Sequence, residues 1–394
     1  MKALRKFFDN IKPSFEEGGK LHAFRSVYEG LESFAFVPHT TSRRGSVNVH
    51  DAFDSKRLMS FVVMALVPAL LFGCYNIGYQ NALAAGQDAS AVGVWNLFLY
   101  GFLALLPNLA VSYIVGLGIE FIVAQWKKEE IAEGYLVSGI IIPLIIPITT
   151  PLWMLALAVA FSVIFAKEIF GGTGMNIFNV ALIARAFLFF SYPSVMTGDD
   201  HVWVSADTIC GLGFDVNALN PDALTAATPL GAAAVEGFSG FDCSLIENAI
   251  IGLVPGSVGE TSVIAIALGA LLLLFTGVAS WKTMLSVFVG GAATGYLMQA
   301  LGVTSIEWWH HLVVGGFAFG AVFMATDPVT SARTEGGKYI YGLLIGFVAV
   351  LVRVLNPGYP EGMMLAILLM NLFAPLIDYC FVQSNINKRA KRAK

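Results

Sequence analysis

Two stretches of this 394-residue sequence decide its fold: LVSGIIIPLIIPITTP at 136–151 and VVGGFAFGAVFMATDP at 313–328. They align at a constant offset of 177 residues, and each ends on a Thr-x-Pro triplet. A straight membrane-spanning helix needs about 20 apolar residues in a row. One stretch is interrupted by Pro143 and Pro147 and the other is rich in glycine, so both predict broken helices.

Apolar segments recur on both sides of these two stretches, and there are ten in all: 58–78, 98–124, 135–148, 152–168, 175–192, 260–279, 283–303, 310–326, 339–355 and 361–381. The two aligned stretches lie in the third and eighth segments, so each half of the chain holds five crossings. An odd number of crossings forces the halves into opposite orientations. Inverted repeats with interrupted helices are how many transporters build a midplane site. Chance similarity of short apolar segments is the alternative.

Composition excludes the soluble protein classes. Hydrophobic residues make up 57% of the chain and charged residues only 13%, whereas soluble domains carry about 25% charged residues. The net charge of −4 provides no basic field for nucleic acid. We therefore predict an all-α, polytopic membrane protein of about ten transmembrane helices, arranged as two inverted five-helix repeats with broken helices.

The positions of Lys and Arg predict the orientation in the membrane, because basic residues stay on the cytoplasmic side. Residues 1–57 hold ten of the 23, and the last seven residues hold five. Both termini are therefore expected in the cytoplasm. No Lys or Arg lies between Arg185 and Lys282, so the acidic loop 193–259 within this gap is expected outside. Arg353 is the one basic residue near an external end.

These patterns divide the chain into five predicted regions: a cytoplasmic N-terminal segment (1–57), the first repeat (58–192), a periplasmic loop (193–259), the second repeat (260–381) and a basic cytoplasmic tail (382–394). The N-terminal segment carries Leu21, Phe24, Tyr28, Leu31 and Phe34 at helical spacing. An amphipathic stretch of this kind is expected on the membrane surface or against a partner subunit; a solvated tail is the alternative.

The four cysteines show no C-x-x-C spacing, so neither a zinc nor an iron–sulfur site is indicated. Cys210 and Cys243 both lie in the periplasmic loop, where a disulfide is chemically possible. Two unpaired thiols are the favoured interpretation.

Ionisable residues inside apolar segments are costly and mark functional sites by default. Here they are Glu120, Arg185, Asp327 and Asp378, with Lys167 and Glu168 at a cytoplasmic end. The carboxylates offer oxygen ligands for Na⁺ or titratable groups for protons. Pairing with an arginine, or capping a helix, is the alternative for each.

Two further patterns suggest ligand chemistry. Gly171-Gly-Thr-Gly-Met-Asn176-Ile-Phe-Asn179 places a flexible backbone and two amide side chains at the start of the fifth segment. In the periplasmic loop, Asp222-Ala-Leu-Thr-Ala-Ala-Thr228 offers an exposed hydroxyl that a modifying enzyme can esterify, and Thr261 is a second such hydroxyl.

Long strings of this sequence resemble the NqrB/RnfD family, which comprises the NqrB membrane subunits of sodium-translocating NADH:quinone oxidoreductases (Na⁺-NQR) and their Rnf counterparts. The resemblance covers nearly the whole chain. It is carried by Glu-Gly-Gly-Lys20, Lys167-Glu-Ile-Phe-Gly-Gly-Thr-Gly174, Arg185-Ala-Phe-Leu-Phe-Phe190, Phe323-Met-Ala-Thr-Asp-Pro328 and Asn356-Pro-Gly-Tyr-Pro-Glu-Gly-Met-Met364.

The resemblance implies two flavins. The family motif Asp-x-x-Ser/Thr-Gly-Ala-Thr joins FMN through a phosphoester to its last threonine, which implies Thr228, with Thr261 as second choice. Ala226 stands where the family usually has glycine. A noncovalent riboflavin is implied near Asn176 and Asn179, where Val180 replaces a frequent proline.

The resemblance also implies a quinone substrate and a sodium path. Gly116 and Glu120 match positions implicated in quinone binding, although Leu117 replaces a family glycine. Phe319, Phe323, Asp327 and Asp378 match proposed gate and carboxylate positions on the Na⁺ path. From the residues alone, the two phenylalanines form either a dry constriction or ordinary packing. No catalytic side chain and no metal beyond transported Na⁺ is expected.

The implied function is that of a subunit of a redox-driven Na⁺ pump in the bacterial inner membrane. It passes electrons from covalent FMN through riboflavin to quinone, coupled to Na⁺ translocation from NADH oxidation. Expected partners are the other Na⁺-NQR subunits (A, C, D, E and F), membrane lipid and a flavin transferase. The alternatives are an RnfD-like subunit of a ferredoxin:NAD⁺ oxidoreductase, disfavoured by residues 1–57, and a urea- or ammonium-type channel without flavin.

Overall fold

Most of the apolar sequence is helical in the part of the chain that the structure describes. The computed structural model describes residues 2–15, 25, 28, 32, 55–127, 134–196, 203–216, 227–235, 241–356, 358 and 361–392. Within these residues there is no β-strand, only an isolated bridge between Ile209 and Leu212. The chain is an all-α, polytopic membrane protein, so the predicted fold class is confirmed.

The described chain contains sixteen α-helices: α1 (Lys2–Phe15), α2 (Ser55–Ala84), α3 (Ala89–Val92), α4 (Val94–Lys127), α5 (Tyr135–Ile145), α6 (Leu152–Ser162), α7 (Val180–Ser191), α8 (Pro193–Met196), α9 (Pro229–Val235), α10 (Cys243–Ile251), α11 (Val263–Thr276), α12 (Trp281–Ala300), α13 (His310–Val313), α14 (Phe317–Phe319), α15 (Glu335–Leu355) and α16 (Met363–Arg392). Two π-helical turns, Val163–Glu168 and Gly320–Met324, continue α6 and α14. By length and composition α2, α4, α15 and α16 are long and apolar enough to cross a membrane.

Helices form in all ten predicted segments, but the fifth and sixth begin three or more residues later than predicted. The fifth segment starts its helix at Val180 rather than at 175, because Gly171, Gly172 and Gly174 have positive φ and keep the backbone in turns. The sixth starts at Val263 rather than at 260, because the Ser262 hydroxyl accepts a hydrogen bond from the Ala265 amide and caps the helix there.

The third and eighth segments are broken, as their sequences predict. Helix α5 ends at Ile145, and its free carbonyls find partners elsewhere in the chain. The Gly259 amide donates to the Leu144 carbonyl at 2.8 Å, and the Asn108 amide group donates to the Ile148 carbonyl at 3.2 Å. Inside a bilayer such groups must be satisfied by the protein itself. The broken helix is therefore possible only because neighbouring segments enclose it.

Some helix contacts recur in the two halves. In the first half α4 packs against α5 and α6, and α7 packs against α6. In the second half α12 packs against the broken eighth segment and α15, and α16 packs against α15. These are equivalent pairs when segments one to five are matched with six to ten. Among the described helices, however, the extensive contact of α2 with α4 has no counterpart of similar extent between α11 and α12. The repeat and the five domain boundaries therefore stay predictions.

Several sequence predictions fall partly or wholly outside the described residues. Of the amphipathic N-terminal set, the structure describes only Tyr28, whose hydroxyl donates to the Phe8 carbonyl of α1 at 2.9 Å. The first residues of the predicted FMN motif, 222–226, also lie outside. Cys210 and Cys243 are described and are free thiols, as the favoured interpretation expected.

The most extensive helix contact, between α12 and α15, depends on glycine. A Cβ atom added at Gly346 would meet the Gly290 carbonyl carbon at 2.9 Å. We expect Gly346→Val to lower the free energy of unfolding by about 1–3 kcal/mol, because overpacking forces the helices apart. Gly118→Val is the matched control, because no atom lies within 4 Å of the added Cβ. Chemical unfolding in detergent micelles measures both, and equal losses would contradict the prediction.

Candidate functional site

One end of the helix bundle encloses a cavity of about 370 Å³. Its walls come from six of the ten segments and include five residues singled out from the sequence, Lys167, Asn176, Asn179, Phe323 and Asp327. Other lining residues are Leu58, Met59, Gly134, Ser138, Thr173, Leu273 and Val329. Ligand cavities typically span about 300–1,000 Å³, so this one has the size of a small-molecule site.

The cavity lies at the end of the bundle that the charge pattern assigns to the cytoplasm. It is lined by the starts of the first, third and fifth segments and by the ends of the fourth, sixth and eighth. This alternation is what consecutive crossings of a membrane require. The grouping of residues in space therefore agrees with the predicted topology.

Asn179 and Asp327 join the two halves at the cavity wall. The side-chain oxygen of Asn179, Oδ1, caps α7 by accepting from the Ala181 amide at 3.0 Å. The side-chain nitrogen, Nδ2, donates to Asp327 Oδ2 at 3.3 Å. Asp327 also accepts from the Val329 amide and the Thr330 hydroxyl, at 3.0 and 3.1 Å. The carboxylate is thus held by its own turn and by the fifth segment.

Asn176 lies in the glycine-rich turn before α7. Its side-chain oxygen, Oδ1, accepts from the Gly174 backbone amide at 3.3 Å, and its side-chain nitrogen, Nδ2, donates to the Phe178 backbone carbonyl at 3.1 Å. On the same wall the Thr173 hydroxyl oxygen is buried and has no hydrogen-bond partner among the described residues. A buried hydroxyl without a partner is costly, which indicates that a ligand atom belongs beside it.

Glu120 and Lys167 form a buried ion pair beside the cavity. Their side chains are only 4% and 5% exposed, and Lys167 Nζ contacts Glu120 Oε1. Lys167, not an arginine, is thus the partner of this membrane carboxylate. One turn away, Gly116 packs so closely on the Tyr135 ring that a Cβ atom would collide with it.

The remaining residues of the predicted ion path do not all meet at the cavity. The rings of Phe319 and Phe323 are 4.9 Å apart and buried, and only Phe323 is among the residues that line the cavity. Asp378 is not among the lining residues. Its carboxylate accepts from the Arg333 and Thr334 amides, at 2.8 and 2.9 Å, and so caps the turn before α15.

At the opposite end of the bundle, Thr228 and Thr261 line one small pocket of about 30 Å³. The Thr228 hydroxyl accepts a hydrogen bond from the Gly231 amide at 3.1 Å, and the residue is half-buried. Thr261 is buried. The two hydroxyls considered for esterification are therefore neighbours, and Thr228 is the more accessible.

A buried charge cluster lies against the same outer pocket. Arg185 donates to Glu260 Oε1 at 2.8 Å and also contacts Glu361 Oε2. Glu260 and Glu361 both line the pocket. Nearby, Arg353 donates to the His311 carbonyl at 2.6 Å. Arg185 therefore connects the end of the first half to the starts of the sixth and tenth segments.

Known proteins match nearly the whole chain. The model of the NQR2, RnfD, RnfE family matches residues 42–387. The chain belongs to this family.

Relatives in the NQR2, RnfD, RnfE family are similar over their full lengths. A protein of Chromohalobacter salexigens, named as the B subunit of Na(+)-translocating NADH-quinone reductase, is 43% identical, covering 99% of this chain and 96% of its own. Proteins of the same name from Klebsiella pneumoniae and Pseudomonas aeruginosa are 41% and 40% identical, each covering 99% of both chains. The family resemblance drawn from sequence motifs is confirmed.

Sequence reasoning missed two residues that the structure of this NQR2, RnfD, RnfE family member brings into the outer cluster. Glu260 and Glu361 lie at the starts of segments and were not singled out. Their partner Arg185 was, because an arginine within an apolar segment requires carboxylates or carbonyls nearby. The position of those carboxylates in the chain could not be deduced from Arg185 alone.

The cluster provides a stability test. Arg185→Met should lower the free energy of unfolding by about 3–5 kcal/mol, because it leaves two glutamates buried against each other. Lys282→Met is the control, since Lys282 pairs with Glu335 at the surface, where an ion pair contributes about 0–1 kcal/mol. Chemical unfolding in micelles measures both. A loss for Arg185→Met no larger than that of the control would contradict the buried cluster.

Proposed function

We propose that this chain is the NqrB-type membrane subunit of a Na⁺-translocating NADH:quinone reductase. It takes electrons onto FMN at Thr228, passes them to riboflavin in the cavity and reduces quinone at the cytoplasmic side, coupled to Na⁺ movement. The relatives named above and the cavity that gathers Asn176, Asn179 and Asp327 carry this proposal. The match over 99% of the chain to proteins named as the B subunit of that reductase favours this over the Rnf-type subunit.

The cavity fits a riboflavin ring system. Two amide side chains, Asn176 and Asn179, lie at its wall, and the buried Thr173 hydroxyl lacks a partner within the part of the chain that the structure describes. Phe323 supplies an aromatic face and Lys167 a positive charge. The flavin supplies electron-transfer chemistry that no protein side chain here provides. The protein's own contribution is to orient the ring, exclude water and set the charge around it.

Thr228 fits the attachment site of FMN better than Thr261. Its half-buried hydroxyl can be reached from outside, and the Gly231 amide orients it. The buried Thr261 hydroxyl lies behind it in the same pocket. A flavin transferase working outside the cytoplasm would therefore meet Thr228 first.

In-gel fluorescence of the denatured subunit tests this attachment. We expect fluorescence from the wild-type chain, produced with its partner subunits and the transferase, and none from Thr228→Val, because the phosphoester oxygen is removed. Thr261→Val is the matched control and should keep the signal. Signal that persists in Thr228→Val and disappears in Thr261→Val would move the flavin to Thr261. A wild-type chain without signal would overturn the covalent flavin.

Quinone is proposed to bind beside α4 at the cytoplasmic end, near Gly116 and Glu120. Both residues face the protein interior rather than lipid. The close packing of Gly116 on Tyr135 leaves no room for a side chain. A larger residue there would displace the tyrosine and change the shape of this region.

For Na⁺, the structure favours Asp327 over Asp378 as the carboxylate of the path. Asp327 lines the cavity together with Phe323, whereas Asp378 caps a turn. Asp327→Asn should raise the Na⁺ concentration for half-maximal quinone reduction by about tenfold, because it removes one charge from the ligand set. Asp378→Asn should change it less than threefold. The Na⁺ dependence of the purified complex measures both, and a larger effect of Asp378→Asn would reverse the assignment.

The remaining elements of the proposal concern setting and partners. The chain is a multi-pass membrane protein, and we place it in the bacterial inner membrane with both termini in the cytoplasm. The other Na⁺-NQR subunits (A, C, D, E and F) are its proposed partners, since the full-length relatives are named as one subunit of that reductase. Membrane lipid surrounds the exposed apolar faces of α2, α4, α11 and α16.

A further inference from the structure

Lys167 is a membrane-buried lysine whose position is set by an unusual backbone. It lies in the π-helical turn Val163–Glu168 that ends the fourth segment. Such turns are rare in proteins as a whole, but those that occur often lie at functional sites. The wider turn redirects a side chain. Here the side chain is 5% exposed and lines the cavity together with Thr173, Asn179 and Asp327.

Only one oxygen of the Glu120 carboxylate contacts Lys167. Glu120 Oε1 contacts Lys167 Nζ, while Glu120 Oε2 is buried and no described residue forms a hydrogen bond with it. A second pair lies nearby at the surface, Lys127 with Glu168 at 3.4 Å, and Lys127 is 33% exposed. The chain thus places one ion pair in contact with solvent and the other against the cavity.

We propose that Lys167 is the cationic contact for the electron-accepting ring in this cavity, and that Glu120 tunes it. The inference rests on the proposed function in that the ring is a flavin. The Lys167 ammonium favours the form of the ring that has gained electrons, because a charge acts strongly in a low-dielectric site. Glu120 offsets part of that charge, and Asp327 opposes it from across the cavity wall.

This arrangement predicts opposite effects for the two members of the pair. Removing Lys167 leaves Glu120 and Asp327 as the charges around the ring, which disfavours the reduced form. Removing the Glu120 charge leaves Lys167 uncompensated, which favours the reduced form. An ion pair with a purely structural role would lose stability in both variants and would not change the preference in opposite directions.

The test uses the full chain in detergent micelles with riboflavin as the probe. Equilibrium dialysis gives the dissociation constant for oxidised riboflavin and, under anaerobic conditions, for reduced riboflavin. In Lys167→Gln we expect affinity for the reduced form to fall at least tenfold relative to the oxidised form, which for a two-electron couple lowers the potential by about 30 mV. In Glu120→Gln the ratio of the affinity for reduced riboflavin to the affinity for oxidised riboflavin should rise.

Matched variants keep the result interpretable. Lys127→Gln removes the surface partner of Glu168 and should leave the ratio within twofold of wild type. If Lys167→Gln does not fold, the double variant Lys167→Gln/Glu120→Gln leaves no unpaired charge. The affinity of the double variant for reduced riboflavin, divided by its affinity for oxidised riboflavin, should then be at least tenfold lower than in Glu120→Gln.

The outcomes separate the two proposals. Riboflavin that does not bind the wild-type chain in either form would overturn the flavin cavity and this inference with it. Riboflavin that binds wild type, with the same ratio in Lys167→Gln, Glu120→Gln and the double variant, would overturn the role of Lys167 and leave the flavin cavity standing. Opposite changes in the single variants would support the inference.

Discussion

A bilayer offers no hydrogen-bond partners for a broken helix, and this constraint governs the whole structure. Helix α5 stops at Ile145, and the carbonyls of Leu144 and of Ile148 just beyond the helix accept from the Gly259 amide before α11 and from Asn108 on α4. Those two partners belong to different halves of the chain. The interrupted helices can therefore exist only where the halves interlock, and the same interlocking creates the cavity and the outer charge cluster.

The sequence predicted the fold class, all ten apolar segments and the two broken ones, because hydropathy and proline or glycine content act locally. It did not predict where α7 and α11 begin, since those starts depend on positive φ at Gly171 and on the cap from Ser262. Apolar content extends past both points. Periodicity carries no information about which residue ends a turn.

The candidate site was predictable only in part, for a related reason. Asn179 and Asp327 were singled out separately, but their contact joins residues 148 positions apart. The Lys167–Glu120 pair and the Arg185–Glu260–Glu361 cluster likewise join distant segments. Charge alone indicates that a buried ion needs a partner. Only the packed structure shows which residue that partner is. It also shows whether the partner lines a cavity, as Lys167 does.

Arg185 is synthesised well before the residues that pair with it. Its two carboxylate partners, Glu260 and Glu361, are made 75 and 176 residues later. A ribosome that has delivered only the first five segments has therefore placed this arginine near the membrane without either glutamate. The first repeat resembles an independent unit in sequence, yet it reaches its final charge balance only when the start of the last segment has been inserted.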